Sequence, residues 1–197
     1  YDAKKRALDL AICLIVLPVA VPILVACSLL VKLSGKGPIL FVQERTGLGG
    51  QRFKMVKFRT MVPGAADMKE GLEAGNRMGG PDFKLAGDPR VTAIGLLLRK
   101  SSLDEAPQLW NVLQGDMSLV GPRPTSFSPH SYDLWHTERL EVVPGLTGLW
   151  QVIGRGEIDF DDRVRLDIAY VRHQSIALDL SILLRTVPAV LSQRGAY

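Results

Sequence analysis

The sequence predicts a mainly α chain with one small β hairpin, an α+β fold held on a membrane as a monotopic protein by a re-entrant helical hairpin and amphipathic interfacial helices. Three observations carry that prediction. Residues 10–31 contain no charged side chain but are interrupted by Pro18 and Pro22; residues 39–42 and 52–60 have strand composition around a Gly-rich turn; later stretches repeat apolar residues at helical spacing. The 197 residues suffice for one domain with a real core and show no internal repeat. A net charge of +4 fits an anionic partner, whether nucleic acid, acidic lipid headgroups or a phosphorylated substrate, and by itself does not choose among them.

The uncharged run is long enough, as a helix, to cross a bilayer core. A cleaved signal peptide fits less well, because the run ends in Leu33-Ser34-Gly35-Lys36 without a small-residue cleavage pattern. Pro18 and Pro22 each remove a backbone donor and should kink the helix sharply. Lys4, Lys5 and Arg6 precede the run and Lys32 and Lys36 follow it, so the positive-inside rule favours both ends on one side. Residues 1–34 are therefore expected to dip into one leaflet and return, with a single kinked span as the alternative. Cys13 and Cys27 lie in this run and predict no disulfide.

Residues 35–197 form the remaining domain. In the second strand, basic and apolar residues alternate with a slip between Met55 and Val56, the signature of a bulge. Lys57 and Arg59 then share one face, either solvated or a phosphate-binding rim. Residues 65–87 are rich in Gly, Asp, Lys and Met, with a short helical pattern at best over 67–72. A mobile surface loop able to act as a lid is expected there. Val91, Ile94, Leu97 and Leu98 make one helical core face, and Leu109, Val112 and Leu113 another. Between them sit Asp104 and Glu105. As structure, Asp104 would be an N-cap, or Ser102 and Glu105 a capping box, with Pro107 just inside the helix. As chemistry, two adjacent carboxylates at a helix start are a reactive pair, and the local sequence leaves both readings open.

The run from Arg99 through Ser102-Leu103-Asp104-Glu105, Pro107-Gln108-Leu109, Asn111-Val112-Leu113 and Gly115-Asp116-Met117-Ser118 to Gly121-Pro122-Arg123-Pro124 resembles the bacterial sugar transferase family. So do Lys5-Arg6 with Asp9, residues 57–61, residues 144–152 and Gly154-Arg155, so the likeness spans nearly the whole chain. The resemblance implies a monotopic phosphoglycosyl transferase on the cytoplasmic face of the bacterial inner membrane. It would move a sugar 1-phosphate from a UDP-sugar to undecaprenyl phosphate and release UMP. The resemblance also implies Asp104 as the nucleophile and as the contact for Mg²⁺, with Glu105 assisting. Lys57, Arg59, Arg99, Arg123 and Arg155 would bind substrate, because an anionic nucleophile approaches a diphosphate only where cations offset the repulsion. Its partners would be the donor, the lipid acceptor and membrane lipids, not nucleic acid, and a homodimer is left open. Val21, Thr46 and Ile153 depart from the family pattern: Ser commonly precedes the hairpin proline, Pro stands before Gly47, and a polar residue precedes Gly154-Arg155.

In the last third, His130, His136 and His173 lack a metal-site spacing and are assigned to the surface or a rim. Trp110, Trp135 and Trp150 are assigned to the core or to interfacial anchoring. Residues 132–140 could be helical. Residues 159–172 alternate acids and bases on a helix, Asp161 pairing with Arg165, and by the resemblance Asp167 and Tyr170 buttress the site. Residues 176–191 read as an interfacial amphipathic helix. The rival to the enzyme is a membrane-tethered protein whose basic face binds acidic lipid or nucleic acid.

Overall fold

The computed structural model describes residues 1–68, 85, 87–128, 130, 132–154 and 158–192. The loop expected over 65–87 therefore lies largely outside the described residues, as does Arg155. The first element is α1, Asp2–Leu33, a single helix with Pro18 and Pro22 inside it. The two-helix hairpin expected there is one helix by backbone bonding, since each proline removes a single donor and leaves the flanking bonds in place. Its buried side chains, Asp9, Cys13, Ala20, Cys27 and Val31, recur every four or seven residues and form one stripe along its full length. Leu14, Ile15, Val19, Val25, Leu29 and Leu33 on its other sides are exposed.

That stripe seats on two core clusters. Cys13 packs with Met55, Val112, Met117, Leu119, Val120, Tyr170 and Ile182, while Cys27 and Val31 pack with Phe58 and Leu98. Each large apolar side chain removed from water contributes about 1.5–3 kcal/mol, so both halves of α1 are held to the same body. Polar bonds add to this. The Asp9 carboxylate accepts from Ser118 Oγ at 2.7 Å and from the Leu119 N–H at 3.1 Å, and Arg6 donates to the Val112 and Leu113 carbonyls at the end of a later helix.

Strand β1, Leu40–Thr46, pairs antiparallel with β2, Arg52–Phe58. The register runs unbroken from Leu40 opposite Phe58 to Thr46 opposite Arg52, so the expected bulge is absent. Its sequence signal has another cause. Met55 enters one core cluster and Phe58 the other, so the end of β2 is covered on both faces and carries apolar side chains on each.

Helix α2, Ala93–Ser101, is capped by Thr92, whose Oγ1 accepts from the Gly95 N–H at 2.9 Å. Gly95 is required by packing: a Cβ there would lie 2.0 Å from the Thr60 carbonyl oxygen. Of the predicted core face of this helix, Leu98 is buried but Leu97 is 56% exposed, because only one narrow side of α2 meets α1 and β2. A 3₁₀ turn, Leu103–Gln108, leads into α3, Leu109–Gln114. Next comes β3, Ser118–Val120, which pairs in parallel with β4, Gly145–Thr147, a pairing absent from the sequence reading. Another 3₁₀ helix, Leu134–Leu140, lies in the crossover, and α4, Leu149–Ile153, α5, Phe160–Arg172, and α6, Ile176–Leu191, complete the described chain.

Two expectations for this last part change. His136 is buried among Tyr132, Trp135 and Phe160 instead of lying at the surface. Of the tryptophans expected in the core or at an interface, Trp110 and Trp135 are exposed, which leaves the interfacial alternative for them. Arg165 pairs with Asp162, one residue nearer than Asp161, whose carboxylate faces His136 instead.

Candidate active site

The acidic pair is delivered by a reversal of the chain. Helix α2 stops because Ser102 adopts a left-handed conformation, φ 58° and ψ 14°, at the only non-glycine positive φ among the described residues. Such a conformation is uncommon outside glycine and tends to persist where the surrounding structure enforces it. The six-residue 3₁₀ turn that follows carries Asp104 and Glu105, with Pro107 buried inside it. Neither the Asp104 cap nor the Ser102–Glu105 capping box forms, since no side chain caps this turn. The two carboxylates are thereby left for other partners.

Strand β2 packs directly on this turn. Asn111 of α3 fixes the strand there: its side-chain amide donates to the Lys54 carbonyl at 2.8 Å, and its Oδ1 accepts from the Val56 N–H at 3.1 Å. The next residue, Lys57, is held beside the pair, its Nζ 5.4 Å from the centre of the Phe41 ring. Burial, helped by the neighbouring Arg45 charge, lowers the Lys57 ammonium to about 8 against the pull of Asp104 and Glu105. Arg99, at the end of α2, donates through Nε to Thr60 Oγ1 at 2.9 Å and faces Asp104, while burial lowers it from its ordinary range. Arg123 grips Glu105 through two nitrogens.

Asp104 and Glu105 thus differ sharply. Glu105 is occupied by the Arg123 fork. No hydrogen bond reaches the Asp104 carboxylate among the described residues. Burial and then the Glu105 charge raise it to about 6, against Lys57, Arg99 and Arg123. It stays mostly ionised at neutral pH, half-buried and facing cations. This is the electrostatic arrangement an anionic ligand would complete.

Four of the cations assigned from sequence fall within the described residues, and three of them meet at the pair: Lys57, Arg99 and Arg123. Arg59 does not. Its guanidinium turns to the end of α1, donating at 2.6–2.9 Å to the Val31 carbonyl, which Ser34 also reaches, and to the Gly35 and Lys36 carbonyls just beyond the helix. The alternation that put Lys57 and Arg59 on one face ends with the strand at Phe58.

Behind Arg123 lies a support that sequence reading assigned only in part. Arg139 Nη2 donates to the Arg123 carbonyl at 2.7 Å and to Asp167 Oδ2 at 2.5 Å. Asp167 is fully buried, and that burial raises its carboxyl to about 6 despite Arg139. Thr46, a departure from the family pattern, is also enclosed here: it donates to the Phe127 carbonyl and accepts from Arg52. No local pattern marks Arg139 or Thr46, because their partners are remote in sequence.

The acidic donors present suit Mg²⁺ only in a shared mode. Among the described residues no group of three metal-binding side chains exists. Mg²⁺ is, however, usually held by one or two carboxylates together with substrate phosphates and water, which fits the unbonded Asp104 carboxylate.

Fold and site together define a class: a protein with a long exposed apolar helix, beside which a half-buried aspartate faces fixed cations. Comparison with known proteins narrows it. Residues 1–193 match the model of the family described as "Bacterial sugar transferase", and the chain belongs to that family. It is 47% identical over 162 residues to "Galactosyl transferase CpsE" of Streptococcus agalactiae serotype III, covering 81% of this chain and 36% of that one. It is 41% identical over 198 residues to "Undecaprenyl-phosphate galactose phosphotransferase" of Salmonella typhimurium, covering 98% of this chain and 41% of that protein. It is 42% identical over 207 residues to "UDP-glucose:undecaprenyl-phosphate glucose-1-phosphate transferase" of Caulobacter vibrioides, covering all of this chain and 73% of the relative. The chain thus spans about two fifths of the length of the first two of these relatives.

Proposed function

We propose that this chain transfers a sugar 1-phosphate from a UDP-sugar to undecaprenyl phosphate, releasing UMP, as a membrane step in assembling a surface glycan such as an exopolysaccharide, capsule, O-antigen or glycoprotein glycan. The observation that carries the reading is the Asp104 carboxylate, without a hydrogen bond among the described residues and faced by Lys57, Arg99 and Arg123. The names of the Salmonella and Caulobacter relatives support it by giving undecaprenyl phosphate as acceptor, and the latter a UDP-sugar as donor.

In the first displacement an Asp104 oxygen attacks the sugar-side phosphorus. The bond to the bridging oxygen breaks, and UMP leaves with that oxygen. In the second, a phosphate oxygen of the lipid attacks the same phosphorus, the bond to Asp104 breaks, and the carboxylate is regenerated. Splitting the transfer lets a soluble donor and a lipid acceptor use one site in turn. Lys57, Arg99 and Arg123 offset the diphosphate charge, and the Arg123 fork keeps Glu105 in place beside the nucleophile. Mg²⁺ would be held by Asp104 with the donor's phosphates and would polarise the phosphoryl oxygens.

We assign α1 to one leaflet on the cytoplasmic side of the plasma membrane, entering and returning. Its buried stripe supports this, since both halves of the helix contact the same domain, whereas a span leaving the domain would strip its far half of protein contacts. Labelling that places the two ends of α1 on opposite sides of a membrane overturns this topology. For the reaction, the purified protein is given Mg²⁺, a polyprenyl phosphate and each UDP-sugar in turn. UMP release with at least one glucose, galactose or N-acetylated donor is expected, and its loss in Asp104→Asn. Absence of UMP with every donor, or equal release by the variant, refutes the proposal.

A further inference from the structure

A groove of about 280 Å³ opens beside the acidic pair and belongs to none of the phosphate-facing cations. Its lining includes Ser102 and Glu105 of the turn that carries the pair, the apolar side chains of Leu109, Leu146, Val152 and Leu183, and Ala189 and Val190 in the last turns of α6. Thr147 and Thr186 line it as well, but their hydroxyls bond to each other at 2.8 Å, and Thr186 also bonds to the Ile182 carbonyl, so they present little free polarity. The groove's charged residue is Glu105, neutralised by its Arg123 partner; apart from Gln151 the remaining lining is mainly apolar, and α6 exposes Leu184, Val187 and Leu191 nearby.

Resting on the function proposed above, we propose that this groove seats the phosphate-proximal isoprene units of the lipid acceptor and steers its phosphate to Asp104. An amphiphile with an anionic head and an apolar chain matches this arrangement: the head meets Lys57, Arg99 and Arg123, and the chain lies against Leu109, Leu146 and Leu183. With about 280 Å³, the groove accommodates a short apolar segment next to the head group. The rest of a long chain then leaves past Ala189 along the exposed apolar side of α6. A soluble nucleotide sugar has no apolar segment to place there, so the groove serves the second displacement only. The site thereby discriminates the two substrates by what lies on either side of the same carboxylate.

The test uses the full chain in nanodiscs and substitutes Ala189→Trp to fill the groove from α6. Leu134→Trp, at an exposed position of the 3₁₀ helix Leu134–Leu140 and outside the groove, is the control. The acceptor KM of Ala189→Trp is expected to rise by about tenfold or more, since lost burial of a single methylene is already worth close to a factor of four. The KM for the UDP-sugar should stay within about twofold in the same variant, the signature of a binding contact confined to one substrate. Leu134→Trp should shift neither. If Ala189→Trp misfolds, seen as a collapsed melting transition, Val190→Trp replaces it with the same expectation. Transfer by the wild type together with an unchanged acceptor KM in the folded groove variant overturns the groove alone. No transfer by the wild type with any donor overturns the function and the groove with it.

Discussion

Two acidic centres in this molecule use similar residues to opposite ends. Asp179 of α6 is buried, and its oxygens accept from Lys5 at 2.9 Å, from the Tyr1 hydroxyl at 2.7 Å and from the Tyr170 hydroxyl at 2.7 Å. The Tyr170 hydroxyl, whose proton goes to Asp179, also lies 3.2 Å from the Val120 carbonyl oxygen, so this cluster brings α1, α5, α6 and β3 together. Asp104 lies among at least as many cations but takes a hydrogen bond from none of the described residues. The difference teaches that charge proximity does not distinguish the two carboxylates, whereas hydrogen bonding does. Three of the roughly four lone-pair sites of Asp179 are engaged, while the Asp104 oxygens take no hydrogen bond from the described residues.

The comparison can be broken by exchanging which centre is disturbed. Asp104→Asn should lower UMP release on the order of 10⁴-fold or more, as expected when a covalent nucleophile is removed, while the melting transition survives. Lys5→Met, which strands a buried Asp179, should do the reverse: a loss of about 3–5 kcal/mol in unfolding free energy, read by thermal or denaturant unfolding, with the donor KM of the folded fraction unchanged. Arg59→Met should resemble Lys5→Met on a smaller scale, costing about 1–3 kcal/mol because it exposes the carbonyls at the end of α1, again without a change in donor KM. A large rise in donor KM would instead return Arg59 to the phosphate site.

The pH dependence sharpens the same contrast. Protonation of Asp104, raised by burial to about 6, removes the proposed nucleophile, so the rate should fall below that pH by about tenfold per unit. Loss of the Lys57 proton near 8 removes a cation facing the diphosphate, so the rate should decline again above it. A bell between those limbs, with the alkaline limb abolished in Lys57→Arg, is the expected profile of kcat/KM. The smallest effect is on stability. Because folding raises the Asp104 carboxyl from 3.8, the folded state holds its proton more tightly, and stability contributed by this group is lost as pH rises from about 4 through 6. Asp104→Asn should accordingly raise Tm by about 2–4 °C at pH 8 if the relief is near 1 kcal/mol, whereas neutralising Asp179 should lower it.

The long-range parts of the site show why some of it was legible and some not. Asp104, Glu105, Lys57, Arg99 and Arg123 were picked out by motifs that resemble the bacterial sugar transferase family, the residues alone leaving the acidic pair open, and the hairpin, α1 and α6 follow from composition and period-two and period-3.6 patterns in single segments. Arg59 was misplaced because alternation says which face a strand residue takes, not where the strand ends. The bulge was misread because apolar residues on both faces of β2 mimic a slipped register when the two core clusters covering those faces are unknown.

Sequence alone determined the mainly helical class, the apolar N-terminal helix, the small hairpin and the acidic pair, since each is local and encoded in composition or spacing over a few turns. Only the tertiary structure decided that Ser102 reverses the chain to present the dyad, that Arg59 closes α1 while Lys57 faces Asp104, that β3 and β4 pair in parallel, and that Asp179 is hydrogen-bonded while Asp104 takes no hydrogen bond from the described residues. The physical reason is the same in each case: these features are set by partners up to 178 residues apart, and a carboxylate's role depends on which donors reach it once the chain has closed around it.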